Sequence, residues 1–144
     1  MHPFPHRYAL RMDGGPEGTA RLHVDGLPVL ESAPPREFDG PGDRWSPEHL
    51  FVASVTSCLL LTLRAVARAS RIVFSTLHVD SEGVLDRVEG GLKFTEVILR
   101  ARITVPAGSD REKVVKAMEK AEKSCLVSRS LDFPVRLEAE VVEG

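Results

Sequence analysis

Two cysteines, Cys58 and Cys125, are the residues of this 144-residue chain best suited to covalent chemistry. A thiolate that attacks a peroxide becomes a sulfenic acid, and a second thiol condenses with that acid to form a disulfide. The two cysteines could therefore supply both halves of a redox cycle. A free cysteine is also a common small core residue, so two buried, inert thiols remain the alternative interpretation.

The surroundings of Cys58 are apolar, with Val55 before it and Leu59 after it. Burial among such side chains raises the pKa of a thiol and leaves it unreactive. A reactive Cys58 therefore needs a cation from elsewhere in the chain. The candidates are arginines, with solvated surface charge as the competing interpretation for each: either Arg36 or Arg44, with Arg21 as a third.

A carboxylate, Glu48, precedes Cys58 by ten residues on the same expected helix. That separation is about 15 Å along a helix axis, so Glu48 does not reach the thiol of its own helix. Glu48 would serve the thiol site most simply from a second subunit, which favours a dimer. A first-turn glutamate also stabilises the helix dipole, and that role alone would explain it.

The histidines do not predict a metal site, because they lack the paired spacing of metal ligands. They are His2, His6, His23, His49 and His78. A glycine-rich phosphate loop and a Ser-His-Asp pattern are not recognisable either. We therefore expect no metal and no bound cofactor.

Composition predicts one soluble domain over residues 1–144, with 42% hydrophobic and 28% charged residues. The net charge of −2 does not favour a nucleic-acid partner. The longest uncharged apolar run, Leu50–Leu63, has 14 residues, whereas a membrane span needs about 20. With no signal peptide recognised, we expect a cytoplasmic protein without a membrane partner.

The hydropathy pattern predicts an α+β fold with a largely antiparallel sheet around a long buried helix. Short strands precede a loop over 31–45, which is long enough to suggest a functional role. The long helix begins after the N-cap Ser46 and ends near Arg71. The expected strands are 6–12, 19–24, 27–30, 72–88, 92–105 and 133–142.

The second helix opens at Ser109 with capping-box spacing. Val114, Met118, Ala121 and Cys125 are spaced four, three and four residues apart, so they share one face. Cys125 follows Lys123 and Ser124, at or just past the helix end. We expect Cys125 to be more accessible than Cys58.

Two segments resemble the signatures of the OsmC/Ohr family, each around one cysteine. Residues 46–53 read SPEHLFVA and are followed by Thr56-Ser57-Cys58, and residues 123–128 read KSCLVS. The order of elements also matches, and the resemblance covers nearly the whole chain. The stretch GPGDRWSPEHLF is similar to the OsmC-like subgroup.

The resemblance implies an OsmC-like fold and an intertwined homodimer with active sites at the interface. It implies that Cys58 is the peroxidatic cysteine, that Cys125 resolves it, and that Glu48 helps to hold an arginine beside the thiolate. Arg36 stands about where the family has that arginine, but its spacing to Glu48 differs from the usual one.

The function implied is that of a thiol peroxidase in the oxidative stress response. It would reduce organic hydroperoxides, with hydrogen peroxide as a possible second substrate, and an external dithiol of the lipoyl type would restore it. Leu50, Phe51 and Leu61 are expected to supply apolar walls for the substrate. Two alternatives stay open: a non-catalytic stress or ligand-binding protein, and a thiol redox sensor.

Overall fold

The computed structural model describes all 144 residues, which divide into two compact units, Met1–Leu50 and Phe51–Gly144. The mixed content of helices and two separate sheets confirms the α+β prediction. The elements are β1 (Arg11–Asp13), β2 (Ala20–His23), β3 (Leu30–Ser32), α1 (Pro47–Ser70), β4 (Thr76–Val88), β5 (Gly91–Val105), α2 (Arg111–Ser124), α3 (Leu126–Arg129) and β6 (Val135–Glu143).

The first unit contains an antiparallel sheet in the order β1-β2-β3. These strands are shorter than the sequence predicts, and residues 6–10 lie outside β1. The loop after β3 is not wholly irregular, because Arg36–Phe38 form a 3₁₀ turn. Trp45 also bridges Ser32, and its carbonyl accepts a 3.0 Å hydrogen bond from the Ala33 N–H.

The second sheet has the order β4-β5-β6. β4 and β5 form a long antiparallel hairpin, with Gly90 in its turn and Gly91 at the start of β5, both at positive φ. β6 pairs with β5 in parallel, because α2 and α3 carry the chain back to the end at which β5 began. Three of the four strand pairings are therefore antiparallel, as the sequence predicts for most of the sheet, and the β5–β6 pairing is the parallel exception.

The core of the second unit lies between the inner face of this sheet and the helices. α1 contributes Val55, Leu59 and Leu63, and α2 contributes Val114 and Met118. All five side chains are at most 2% exposed. The 4-3-4 spacing predicted for α2 is confirmed, since its apolar face is buried.

Helix α1 is only partly covered within one chain. Its Leu59 is fully buried, whereas Leu61 is 58% exposed. By length and composition α1 could also cross a membrane, but the core helix of a soluble protein passes the same test. Val55, Leu59 and Leu63 of α1 belong to the same buried cluster as Val97 and Leu99 of β5.

Candidate active site

The N-terminus of α1 is fixed by Ser46, which is almost fully buried. The Ser46 Oγ accepts a 3.0 Å hydrogen bond from the His49 N–H, and the Ser46 carbonyl accepts one from the Leu50 N–H. The Ser46 hydroxyl also lies 2.7 Å from the His49 Nδ1. This is the N-cap that the sequence predicts, and it places Glu48 in the first turn of α1.

The structure joins Cys58 and Cys125 in a disulfide, with their Cα atoms 6.0 Å apart. Cys58 lies in the middle of α1, and Cys125 lies at the junction of α2 and α3. The Cys125 N–H donates to the Glu122 carbonyl, and the Cys125 carbonyl accepts from the Arg129 N–H. The α2–α3 junction therefore holds the backbone of Cys125 on both sides.

The expectation that Cys125 is the more accessible cysteine is wrong. Cys125 is 1% exposed, whereas Cys58 is partly exposed. The reason is that Cys125 continues the apolar face of α2, which carries Val114, Met118 and Ala121 into the core. An outside molecule therefore reaches the disulfide more easily at Cys58.

Thr62 is a neighbour of Cys58 that the sequence analysis does not single out. Its Oγ1 lies 3.6 Å from the Cys58 Sγ, one helical turn further along α1. The i, i+4 spacing is the signal that would have found it, because such residues lie on one helix face.

Glu48 presents an unpaired carboxylate oxygen. Its Oε1 is buried and has no hydrogen-bond partner in the chain. Glu48 also lines a cavity of about 490 Å³ in the first unit, together with Thr19, Ala20, Phe38 and Pro47. A buried carboxylate oxygen without a donor favours binding of a donor or cation from outside the chain.

The three candidate arginines differ in their partners. Arg44 is held by two carboxylates, with its Nε 3.3 Å from Glu31 and its Nη1 3.3 Å from Asp43. Arg36 is exposed on the 3₁₀ turn and makes no ion pair, with Glu48 or with any other residue. Arg21 is exposed on β2 and is likewise without an ion pair. Arg36 and Arg21 therefore have guanidinium groups free to bind another group.

The three residues expected to form apolar walls have different surroundings. Phe51 packs against other aromatic rings, 4.8 Å from Phe94 and 6.1 Å from Phe133 between centroids. Leu61 is exposed, and Leu50 is half-buried. Phe51 thus belongs to the margin of the core, and Leu61 is the most exposed of the three.

One ionisable group beside Cys125 is perturbed. Partial burial raises the pKa of Glu122 above its ordinary value, and the charge of Lys123 opposes that effect. Glu122 also lies in the last turn of α2, where the helix dipole disfavours a negative charge. The carboxylate therefore gains a proton more readily than a free glutamate would.

Residues 40–140 match the family model described as OsmC-like protein. The chain therefore belongs to the OsmC-like protein family. The uncharacterized protein YmaD of Bacillus subtilis is 28% identical over 109 residues, which cover 74% of this chain and 73% of that protein. Membership of this family indicates a soluble protein.

Two solved structures resemble nearly the whole chain. An OsmC-like protein of unknown function from Vibrio cholerae has a TM-score of 0.86 and 17% identity, covering 94% of this chain and 100% of that one. An organic hydroperoxide resistance protein OsmC from Legionella pneumophila has a TM-score of 0.76 and 28% identity, covering 97% and 99%. These similarities confirm the OsmC-like fold.

Proposed function

We propose that this protein is a thiol-dependent peroxidase that reduces organic hydroperoxides. The observation that carries the proposal is the disulfide between Cys58 and Cys125, which are its only two cysteines. Family membership and the similarity to the Legionella pneumophila organic hydroperoxide resistance protein support the same chemistry.

The proposed cycle begins at Cys58, whose partial exposure suits it to meet a substrate. The Cys58 thiolate attacks the distal peroxide oxygen, the O–O bond breaks, and the alkoxide leaves and takes a proton as the alcohol. Cys58 is thereby oxidised to a sulfenic acid. The Cys125 thiol then attacks that sulfur, water leaves, and the disulfide forms.

An external dithiol of the lipoyl type completes the cycle. One of its thiolates attacks the disulfide and forms a mixed disulfide with the protein. Its second thiol then attacks that mixed disulfide and releases the protein cysteine. The dithiol leaves as a cyclic disulfide, and Cys58 and Cys125 return as thiols. The external dithiol thus supplies the two electrons that the peroxide takes, and no bound cofactor is needed. We propose that this cycle runs in the cytoplasm.

Arg36 is the proposed cation for the Cys58 thiolate, with Glu48 orienting its guanidinium. Arg36 is without an ion pair, whereas Arg44 is already held by Glu31 and Asp43. The unpaired Oε1 of Glu48 matches the donors of a guanidinium. Because Glu48 lies about 15 Å along α1 from Cys58, we propose that a second copy of the chain supplies this pair in a homodimer.

Loss of cumene hydroperoxide with dihydrolipoamide as the reductant tests the proposal. Wild type should complete many turnovers, and Cys58→Ser should complete none. Without the dithiol, Cys125→Ser should consume about one equivalent of peroxide and stop at the sulfenic acid. Stoichiometric disulfide formation in wild type without turnover would indicate a redox sensor, and thiols that react only after unfolding would indicate a non-catalytic protein.

A further inference from the structure

The hydroxyl groups on α1 show a regular pattern of hydrogen bonds. Ser54 donates to the Phe51 carbonyl at 2.6 Å, and Thr56 donates to the Val52 carbonyl at 2.8 Å. Ser57 bonds to the carbonyl of Ser54 in the same way. Donation to a carbonyl one turn back is the ordinary behaviour of serine and threonine inside a helix.

Thr62 departs from this pattern. Its one hydrogen-bond partner is the Cys58 Sγ, 3.6 Å from its Oγ1, and no carbonyl accepts from it. A disulfide sulfur carries no hydrogen, so the Thr62 hydroxyl is the donor. Thr62 is half-buried beside the fully buried Leu63, and a hydrogen bond shielded from water is stronger than an exposed one.

We propose that Thr62 is a positioning residue for Cys58, whose hydroxyl donates to the thiolate and fixes the direction of the sulfur. This inference rests on the proposed function, because it concerns Cys58 as a nucleophile. A hydrogen bond to the charged form of a group favours that form. Thr62 therefore supplies, from the same helix, part of the stabilisation that the arginine completes.

The test is the pH dependence of alkylation of Cys58 in the reduced Cys125→Ser chain, in which it is the only thiol. Iodoacetamide reacts with the thiolate, and intact mass spectrometry gives the rate at each pH. Replacing Thr62 with valine keeps the shape and removes the donor. The midpoint of the rate profile should rise by about one pH unit, as expected for one buried hydrogen bond to a charge.

Three further variants make the result specific. Thr62→Ser restores the hydroxyl and should return the midpoint to that of Thr62. Thr56→Val removes a hydroxyl that bonds to Val52 and Ser81, so it should leave the midpoint unchanged. Thr62→Ala replaces the valine variant if circular dichroism shows that the valine variant is unfolded. An unchanged midpoint in a folded variant without the Thr62 hydroxyl would overturn the inference.

Alkylation needs no peroxide, so the inference and the proposed function fail separately. A Thr62-dependent midpoint in a protein without turnover would reject only the peroxidase. Turnover with an unmoved midpoint would reject only the role of Thr62. If the inference and the proposed function both hold, kcat/KM for the peroxide should fall about tenfold in Thr62→Val below the midpoint pH and recover above it. The reason is that raising the midpoint by about one pH unit lowers the thiolate fraction about tenfold.

Discussion

Cys58 and Cys125 are joined by a disulfide although 67 positions separate them in sequence. A cross-link that closes a loop of this length restricts the unfolded chain and is expected to add about 4 kcal/mol to the free energy of unfolding. Urea unfolding of the oxidised and the dithiothreitol-reduced protein should show that difference. Cys58→Ser, which lacks the bond, should not respond to dithiothreitol. Equal wild-type midpoints in both states would contradict the prediction.

The unequal exposure of the two sulfurs predicts which of them a reductant attacks. Access is one determinant of thiol–disulfide exchange, and Cys125 is 1% exposed while Cys58 is partly exposed. A brief reaction of the oxidised protein with glutathione should therefore leave glutathione on Cys58 and a free thiol on Cys125. Acid quenching, alkylation in denaturant and peptide mass spectrometry would locate both. Glutathione mainly on Cys125 would show that the chain opens before exchange.

Leu59 and Leu61, two residues apart on α1, should respond differently to substitution. Leu59 is fully buried in the core, so Leu59→Ala should lower the free energy of unfolding by about 2–5 kcal/mol in chemical denaturation. Leu61 is 58% exposed in the single chain. If the second copy of the proposed homodimer covers Leu61, Leu61→Lys should dissociate the dimer and leave the folded content of each chain intact.

Light scattering after size exclusion and circular dichroism separate these two effects. The matched control is Leu92→Lys, a leucine 52% exposed on β5, which should keep the mass of wild type. Elution of the wild-type protein as a monomer at every concentration would contradict the proposed homodimer.

The α1 and α2 helices illustrate what sequence determines locally. Ser46 predicts the start of α1, and the spacing of Val114, Met118 and Ala121 predicts the buried face of α2. Both features were predictable because helix caps and helix periodicity depend on residues close in sequence. The pairing of Cys58 with Cys125 was one of two open interpretations of the residue types and was favoured by the family resemblance, since composition and spacing do not show that two distant sulfurs meet.

Other features depend on tertiary structure. The alternating pattern of β6 is the same for a parallel and an antiparallel strand, so this pattern by itself did not predict the parallel pairing with β5. Cys125 is buried because it continues the apolar face of α2. The helix spacing indicated this face, whereas the polar Lys123 and Ser124 before it indicated the opposite. The hydrogen bonds to β2 extend only over Arg11–Asp13, and this limits β1. The apolar residues before Arg11 do not indicate where that pairing begins.

Glu122 should make stability depend on pH. Burial raises its pKa, so the folded state disfavours its charge. Its contribution to stability is complete below the ordinary value of 4.5 and is lost as the pH rises through the raised value. Glu122→Gln should therefore be more stable than wild type at pH 7, with the gain disappearing below about pH 4.

Thermal unfolding across this pH range measures the effect of Glu122. The change in the free energy of unfolding should be smaller than the change that a core substitution causes, because solvent still screens the carboxylate. Glu119→Gln, which removes an exposed glutamate one turn earlier on α2, is the matched control for loss of one negative charge from this helix. A constant difference between Glu122→Gln and wild type from pH 4 to pH 7 would contradict the assignment.

Arg36 and Arg44 should differ in their effect on catalysis. If Arg36 stabilises the Cys58 thiolate and the departing alkoxide, Arg36→Ala should lower kcat/KM for cumene hydroperoxide by about 100-fold, as expected for loss of one charged donor. Arg44 is already paired with Glu31 and Asp43 on the surface. Arg44→Ala should therefore change kcat/KM by only about threefold or less.

Gly42 offers a way to move Arg36 without removing its charge. A Cβ at Gly42 would collide with the Arg36 Nε, and the φ of +76° at Gly42 also disfavours a side chain. Gly42→Ala should thus reproduce much of the loss seen in Arg36→Ala, while the folded content measured by circular dichroism stays the same. If Arg36→Ala is fully active and Arg21→Ala is not, the activating cation is the one on β2, because Arg21 also lacks an ion pair and is free to serve.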